Sequence, residues 1–188
     1  TYESGHHSEE LILNADLVVK SPGIPETAPL VVALKQKGIP VIGEIEFAAQ
    51  YTNARLYCIT GSNGKSTTTM LTYYILQKAG VNVGLAGNIG RSFALQVAQE
   101  QFDVYVLEIS SFMLDDMYQF RADVAVILNI TPDHLDRYDH KMENYVDSKF
   151  RMIRNQTAND YFIYCLDDEE TVKGLERHHT EAAIWPMT

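Results

Sequence analysis

Basic side chains are scarce in this sequence: fifteen lysines and arginines stand against twenty-five aspartates and glutamates, a net charge of −10. That deficit argues against a surface built for nucleic acid or an anionic membrane, so any polyanionic ligand must be held by a local site. Cysteine is equally sparse. The two present, Cys58 and Cys165, fall inside apolar strand-like runs and read as buried thiols of a reducing compartment, not as a disulfide. No apolar run approaches the roughly 20 residues needed to cross a bilayer, and no signal peptide is visible. Membrane insertion is therefore not expected, and the cytoplasm is the default location. Internal repeats and low-complexity segments are lacking too. What is present is apolar material, 46% of 188 residues, enough to bury a core in one large domain or in parts of two.

Strand-like and helix-like patterns alternate along the chain. Strands are predicted at 16–19, 39–42, 55–60, 82–86, 103–108, 123–129, 161–166 and 182–185. Helices are predicted at 28–37, 44–51, 65–79, 92–100, 111–118, 141–155 and 168–178, with a loop over 130–140. A rigid turn, Ser21-Pro22-Gly23-Ile24-Pro25, follows the first strand, and Thr52-Asn53-Ala54 reads as a domain boundary. Such alternation predicts an α/β fold with doubly wound, mostly parallel sheets, whose ligands gather beyond the carboxyl ends of the strands.

One of those ends carries Ile59-Thr60-Gly61-Ser62-Asn63-Gly64-Lys65-Ser66-Thr67, between a strand-like and a helix-like segment. Glycines let successive backbone N–H groups turn toward phosphate oxygens, the helix N-terminus adds positive potential, and Lys65 supplies a point charge. Ser66 would offer its hydroxyl to Mg²⁺. The usual loop has a glycine at position 59, where this chain has isoleucine, so Gly61-x-x-Gly64-Lys65-Ser66 is a shortened relative of it. A glycine turn that merely caps a helix is the plainer alternative.

Three more clusters fall at strand ends: Gly87-Asn88-Ile89-Gly90, Glu108-Ile109-Ser110-Ser111, and Asn129 to His134. Glu108 could complete the coordination of a magnesium ion that Ser66 touches, or could be a solvated strand-end acid. His134 lies in Asp133-His134-Leu135-Asp136-Arg137-Tyr138, where the charges could form a weak surface network, although the binding edge favours a ligand contact. Lys149 shares a helical face with Met142, Tyr145, Val146, Phe150 and Ile153 and therefore points inward. An inward lysine is paired, has a depressed pKa, is chemically modified, or snorkels to water. Glu143, Asn144 and Asp147 face another side and read as solvated, and the pairs His6-His7 and His178-His179 show no metal-site spacing.

These residues resemble the ATP-dependent Mur ligases of bacterial cell-wall synthesis. The resemblance rests on the run from Thr60 to Thr67, on Gly87-Asn88-Ile89-Gly90, Leu107-Glu108-Ile109-Ser110-Ser111-Phe112, Asn129 to Tyr138, and Ser148-Lys149-Phe150-Arg151, with Ser21-Pro22-Gly23-Ile24 upstream. It covers nearly the whole chain in one order, and it is closest to the branch that adds D-glutamate. Met113 stands where that branch has glutamine, and Cys165 where it has asparagine.

The resemblance implies that ATP phosphorylates the carboxylate of UDP-N-acetylmuramoyl-L-alanine and that the amine of D-glutamate then displaces phosphate. Residues 61–67 would bind ATP, with Lys65 on the terminal phosphates. Ser66 and Glu108 would hold one Mg²⁺, and His134 with a carbamylated Lys149 a second. Asn88, Ser110 and His134 would contact the muramoyl or diphosphate part, and Ser21, Pro22 and Gly23 the uridine end. It further implies that residues 1–52 close a Rossmann-like UDP-substrate domain, that 53–188 are an incomplete ATP-binding domain, and that a C-terminal domain is absent. A monomeric enzyme is expected, with these residues alone inactive. Another ligase of the same family, a folylpolyglutamate synthetase-like ligase, or a nucleotide-binding module without chemistry remain open.

Overall fold

Two parallel sheets, joined by one helix, organise the computed structural model, which describes residues 2–188. The first unit runs α1 (Glu9–Ile12), β1 (Val18–Lys20), α2 (Pro29–Gln36), β2 (Val41–Gly43). β1 and β2 pair with Val18 opposite Val41. α2 opens on Pro29, where the missing N–H would have had no intrahelical partner anyway. The joining helix is α3 (Glu44–Ala49).

The larger sheet is built from β3 (Arg55–Thr60), β4 (Val83–Gly87), β5 (Val104–Glu108), β6 (Val124–Ile127), β7 (Tyr161–Cys165) and β8 (Ala183–Met187). Between them run α4 (Lys65–Lys78), α5 (Phe93–Gln99), α6 (Ser111–Asp115), α7 (Met142–Phe150) and α8 (Glu169–Leu175). All its pairings are parallel, in the order β4-β5-β3-β6-β7-β8. The chain leaves β3 for β4 and β5 on one side and returns past it to β6 on the other. β3 is thus the topological switch point, and a crevice opens at its carboxyl end between β5 and β6.

Alternation along each strand divides the core. Leu56, Cys58, Tyr105, Leu107, Ala125, Ile127, Phe162 and Tyr164 face one way, onto Phe93 of α5, Leu114 of α6 and Tyr145, Val146 and Phe150 of α7. Ile59, Val104 and Val106 face the other way, toward Tyr73 and Leu76 of α4. Each large side chain buried in this way contributes about 1.5–3 kcal/mol before chain entropy is subtracted. Ile45 and Ala48 of α3 enter the first of these cores, so α3 packs on the larger sheet although it precedes Thr52.

The doubly wound α/β reading therefore holds, with local corrections. α1 was not anticipated, β1 starts two residues later than its pattern, and the helix expected over 111–118 ends at Asp115. The helix expected to reach 155 is α-helical only to Phe150 and tightens to a 3₁₀ turn over Arg151–Ile153, while the 130–140 loop contains a 3₁₀ turn at Leu135–Arg137. Cys58 is buried and its thiol is pushed well up by burial, but Cys165 is only half-buried. The reason is topological: α4 lies over the β4, β5 and β3 side of its face, so Tyr161 on β7 and Trp185 and Met187 on β8 stay exposed on that face. His178 stacks on Phe150, and its Nε2 lies within hydrogen-bond distance of Asp147 Oδ1, at 2.8 Å. Glu143 is exposed as expected while Asp147 is only half-exposed, and both pair with Arg177.

Candidate active site

The run Thr60 to Thr67 makes the sharp link between β3 and α4, in the crevice where the sheet changes direction. Gly64 caps α4 at φ +83, a left-handed conformation that residues with a Cβ adopt reluctantly, and this leaves Lys65 to start the helix. The loop is fastened from the β6 side. Ser62 N–H donates to Asn129 O (2.9 Å), Asn63 N–H to Asn129 Oδ1 (2.8 Å), and Ser62 Oγ to Thr131 O (2.9 Å). Ser66 and Thr67 are exposed at the mouth.

Two ammonium groups converge on one carbonyl. Lys65 Nζ donates to Gly61 O (2.9 Å) and to Ser62 O (3.0 Å), and Lys149 Nζ donates to the same Gly61 O (3.0 Å). Lys149 is 1% exposed and sits 4.6 Å from the centroid of the Tyr145 ring, whose hydroxyl lies 3.2 Å from Ser62 Oγ. Burial, and then the neighbouring Lys65 charge, lower its pKa from 10.5 to about 7. The inward register read from the helix is therefore correct, and snorkelling is excluded. A buried amine that is substantially neutral near neutral pH is a nucleophile.

Glu108 ends β5 and is 1% exposed. Gly87 and Asn88 bracket it from β4: Asn88 N–H donates to Glu108 O (2.8 Å) and Asn88 Nδ2 to Glu108 Oε1 (2.7 Å). A Cβ at Gly87 would lie 2.1 Å from Glu108 O, so only glycine allows this approach. The other carboxylate oxygen, Oε2, is buried without any hydrogen-bond partner. A desolvated anionic oxygen with no donor is unfavourable by itself and fits a cation arriving between it and the phosphate loop. Asn88 is thus engaged with Glu108, and Ser110 Oγ accepts from Met113 N–H as the N-cap of α6.

His134 stands apart from this cluster. Its side chain is 54% exposed, it adopts φ 51, its ring lies 5.0 Å from that of Phe112, and Nε2 is 3.6 Å from an Asp133 oxygen. Among the described residues no three His, Cys, Asp or Glu side chains converge as a ready metal cage. The plainer alternative, a surface ion-pair network of Asp133, Asp136 and Arg137, does not form around Arg137, which lies over the Phe112 ring (4.7 Å) and donates to Gly23 O (3.4 Å). Through that contact the Ser21-Pro22-Gly23 turn reaches the His134 loop.

Asn129 and Thr131 of the strand-end cluster and Tyr145 of the inward helical face lock the phosphate loop, and a residue no sequence pattern singled out, Asp115, ties the site together. Its carboxylate accepts from Tyr138 Oη (2.9 Å) and Ser148 Oγ (2.7 Å), tying α6 to the His134 loop and to α7 beside Lys149. No sequence signal marks Asp115, whose neighbours are Leu114 and Asp116 and whose partners lie 23 and 33 residues further along.

Fold and site define a doubly wound α/β domain with a phosphate-binding loop at its switch point. Residues 59–185 match the Mur ligase middle domain. A UDP-N-acetylmuramoylalanine--D-glutamate ligase of Bacteroides thetaiotaomicron is 61% identical over 186 residues, which are 99% of this chain and 42% of that protein. Among solved structures, the UDP-N-acetylmuramate:L-alanyl-gamma-D-glutamyl-meso-diaminopimelate ligase of Neisseria meningitides superposes with a TM-score of 0.66 at 17% identity, covering 92% of this chain and 58% of its own. The MurF ligase of Thermotoga maritima in complex with ADP does so at 0.58 and 19%, covering 93% and 51%. The chain belongs to the Mur ligase family. It spans about two fifths of the length of the curated relatives it matches.

Proposed function

We propose that this chain forms part of an ATP-dependent amide ligase that joins D-glutamate to UDP-N-acetylmuramoyl-L-alanine in the assembly of peptidoglycan precursors. The observation that carries the reading is the 61% identity, across 99% of the chain, to a relative bearing that name. In this reading residues 1–52 belong to the substrate-binding domain and 53–188 to the ATP-binding domain of a single-chain cytoplasmic enzyme.

Phosphoryl transfer from ATP to a carboxylate brings several anions together, so the task of the chain is to neutralise and align them. Within the loop 61–67, where the Ser62 and Asn63 N–H groups are already given to Asn129, the N–H groups at the start of α4 receive the phosphates, and Lys65 exchanges its carbonyl contacts for the terminal phosphate oxygens. Ser66 and Glu108 Oε2 would hold one Mg²⁺, and His134 with Lys149 a second; such ions supply charge neutralisation to the transferring phosphoryl group. Lys149 is suited to that role as a carbamate, since its neutral amine adds CO₂, releases a proton and becomes an anion. Tyr145 and Gly61 O hold its nitrogen in place. Asn88 orients Glu108, and the Ser21–Gly23 turn receives the uridine end of the substrate. The amine of D-glutamate then attacks the acyl phosphate and expels phosphate.

The test is phosphate release by a full-length protein carrying this sequence, supplied with UDP-N-acetylmuramoyl-L-alanine and ATP. D-Glutamate should support it well above L-glutamate, L-lysine, meso-diaminopimelate and D-alanyl-D-alanine. Preference for any other acceptor, or none, would overturn the assignment.

A further inference from the structure

Few contacts hold the β1–β2 unit against the larger sheet. Clefts of about 820 Å³ and 580 Å³ open at the junction, the first between Glu26 or Lys35 and Arg137, the second between Leu17 or Ile42 and Tyr118. Between the clefts the joint is made by the segment that follows α6. Gly43 N–H donates to Asp116 O (3.1 Å), and the Glu46 carboxylate accepts from the N–H groups of Tyr118, Gln119 and Phe120 at 2.9–3.0 Å. The Glu44 carboxylate accepts from Ser92 Oγ (2.5 Å) and Ala94 N–H (2.9 Å), Arg137 donates to Gly23 O (3.4 Å), and a buried ion pair completes the joint. Lys20 Nζ lies 2.6 Å from Asp116 Oδ2, and the two side chains are 4% and 0% exposed.

Lys20 does something the other contacts do not. It ends β1, immediately before Ser21, and its ammonium also donates to Ile24 O (2.9 Å). Ile24 N–H in turn closes the turn by donating to Ser21 O (3.0 Å). One buried cation therefore grips the Ser21-Pro22-Gly23 turn from inside and fixes it to Asp116, the residue that terminates the helix begun by Ser110 and Ser111, two residues after Glu108. A compact ammonium with three donors can serve Asp116, Ile24 O and, at 3.6 Å, Glu26 together. A desolvated pair of this kind is a poor source of stability compared with apolar packing, but it holds one geometry.

We propose that Lys20 is a positioning residue: by clamping the Ser21–Gly23 turn to Asp116 it sets the separation between that turn and the Glu108–Ser110 strand end, and so the length of the nucleotide-linked donor that bridges them. This rests on the donor assigned above. Ligands held only at the phosphate loop do not sense the separation, whereas a donor seated at both ends does.

The experiment uses the full-length protein. Lys20→Met alone would strand a buried carboxylate, so the decisive variant is Lys20→Met with Asp116→Leu, which replaces the pair by apolar groups of similar size. Expected are faster amide exchange at Gly23 and Ile24 with unchanged exchange at 61–67, and a KM for UDP-N-acetylmuramoyl-L-alanine raised about tenfold, the worth of roughly one charge-assisted hydrogen bond. The KM for ATP should stay within twofold and the melting temperature should hold. Lys20→Arg, which keeps the charge and its donors, should recover most of the donor affinity. A donor KM within twofold of wild type, or unaltered exchange at the turn, overturns the proposal. So does a parallel loss of stability and of every kinetic constant, which would make Lys20 only a structural residue. Failure of the donor assignment shows separately, as a wild-type protein that does not use that donor.

Discussion

Glu108 and His134 flank the phosphate loop from opposite sides, one at the end of β5 and the other beyond β6, and their surroundings differ sharply. Glu108 is 1% exposed, bracketed by Gly87 and Asn88 and left with one unpartnered oxygen, while the side chain of His134 is 54% exposed on a left-handed residue. Lys149 belongs with Glu108 in this respect, as a dry ionisable group whose nitrogen is already placed. The β5 and α7 side therefore stands preorganised before any ligand arrives, and preorganised charge stabilises developing charge without reorganisation at the moment of reaction. The β6 loop must still order its histidine, so part of any contact it makes is offset by lost side-chain freedom. The unequal burial translates into an unequal set of mutational effects.

The largest effect should come from the driest group. Lys149→Ala in the full-length enzyme should lower kcat about a thousandfold, with a small carboxylate such as acetate restoring part of it by occupying the vacated volume. Near-normal turnover without additive would remove Lys149 from the chemistry altogether. Glu108→Gln should follow, at about a hundredfold, because the amide retains an oxygen for Asn88 but loses the charge on the orphaned side. Isothermal titration of Mg²⁺ with a non-hydrolysable ATP analogue should show the same variant binding the ion more weakly. An unchanged isotherm would mean that Oε2 has another purpose.

How far the sequence already showed this contrast depends on the range of the interaction involved. The phosphate loop and the inward register of Lys149 are local patterns, a strand-loop-helix and a 3.6-residue period, and both were legible. Glu46 was not: its carboxylate is 3% exposed and takes N–H groups more than seventy residues away, so no neighbouring residue announces it. Asn88 stood out at a strand end, but its engagement with Glu108 required knowing that β4 pairs with β5. The half-exposure of Cys165 depends on which strands α4 covers, again a long-range property.

Stability should reverse the order expected for activity. The Lys149 pKa is lowered from 10.5 to about 7, so between those values the unfolded chain holds a proton that the folded chain releases. The fold is therefore disfavoured progressively as pH falls from about 10.5 to 7. Lys149→Met should stabilise the protein at pH 7 by on the order of 2 kcal/mol, net of the lost bond to Gly61 O. The gain should shrink as pH approaches 10. Urea melts of both proteins at pH 7 and pH 10 in CO₂-depleted buffer measure it. A variant that is destabilised equally at both values would show that the lysine is held at no electrostatic disadvantage.

The smallest effect is expected at His134, and it tests the comparison most directly. Asparagine tolerates a left-handed backbone well, so His134→Asn changes the imidazole with little change to the turn. Stability should stay within about 0.5 kcal/mol, as for other exposed positions away from caps and buried networks. Turnover should fall about tenfold, in keeping with one contact made by a loop that has yet to order. A loss as large as that of Glu108→Gln would break the contrast: it would mean that the loop closes when substrates bind and that His134 becomes as dry as Glu108 in the reacting state. Slowed amide exchange at residues 133–138 on adding ATP analogue and donor together would then locate that closure, whereas exchange unaffected by ligand would leave the histidine an exposed contact, consistent with a tenfold effect.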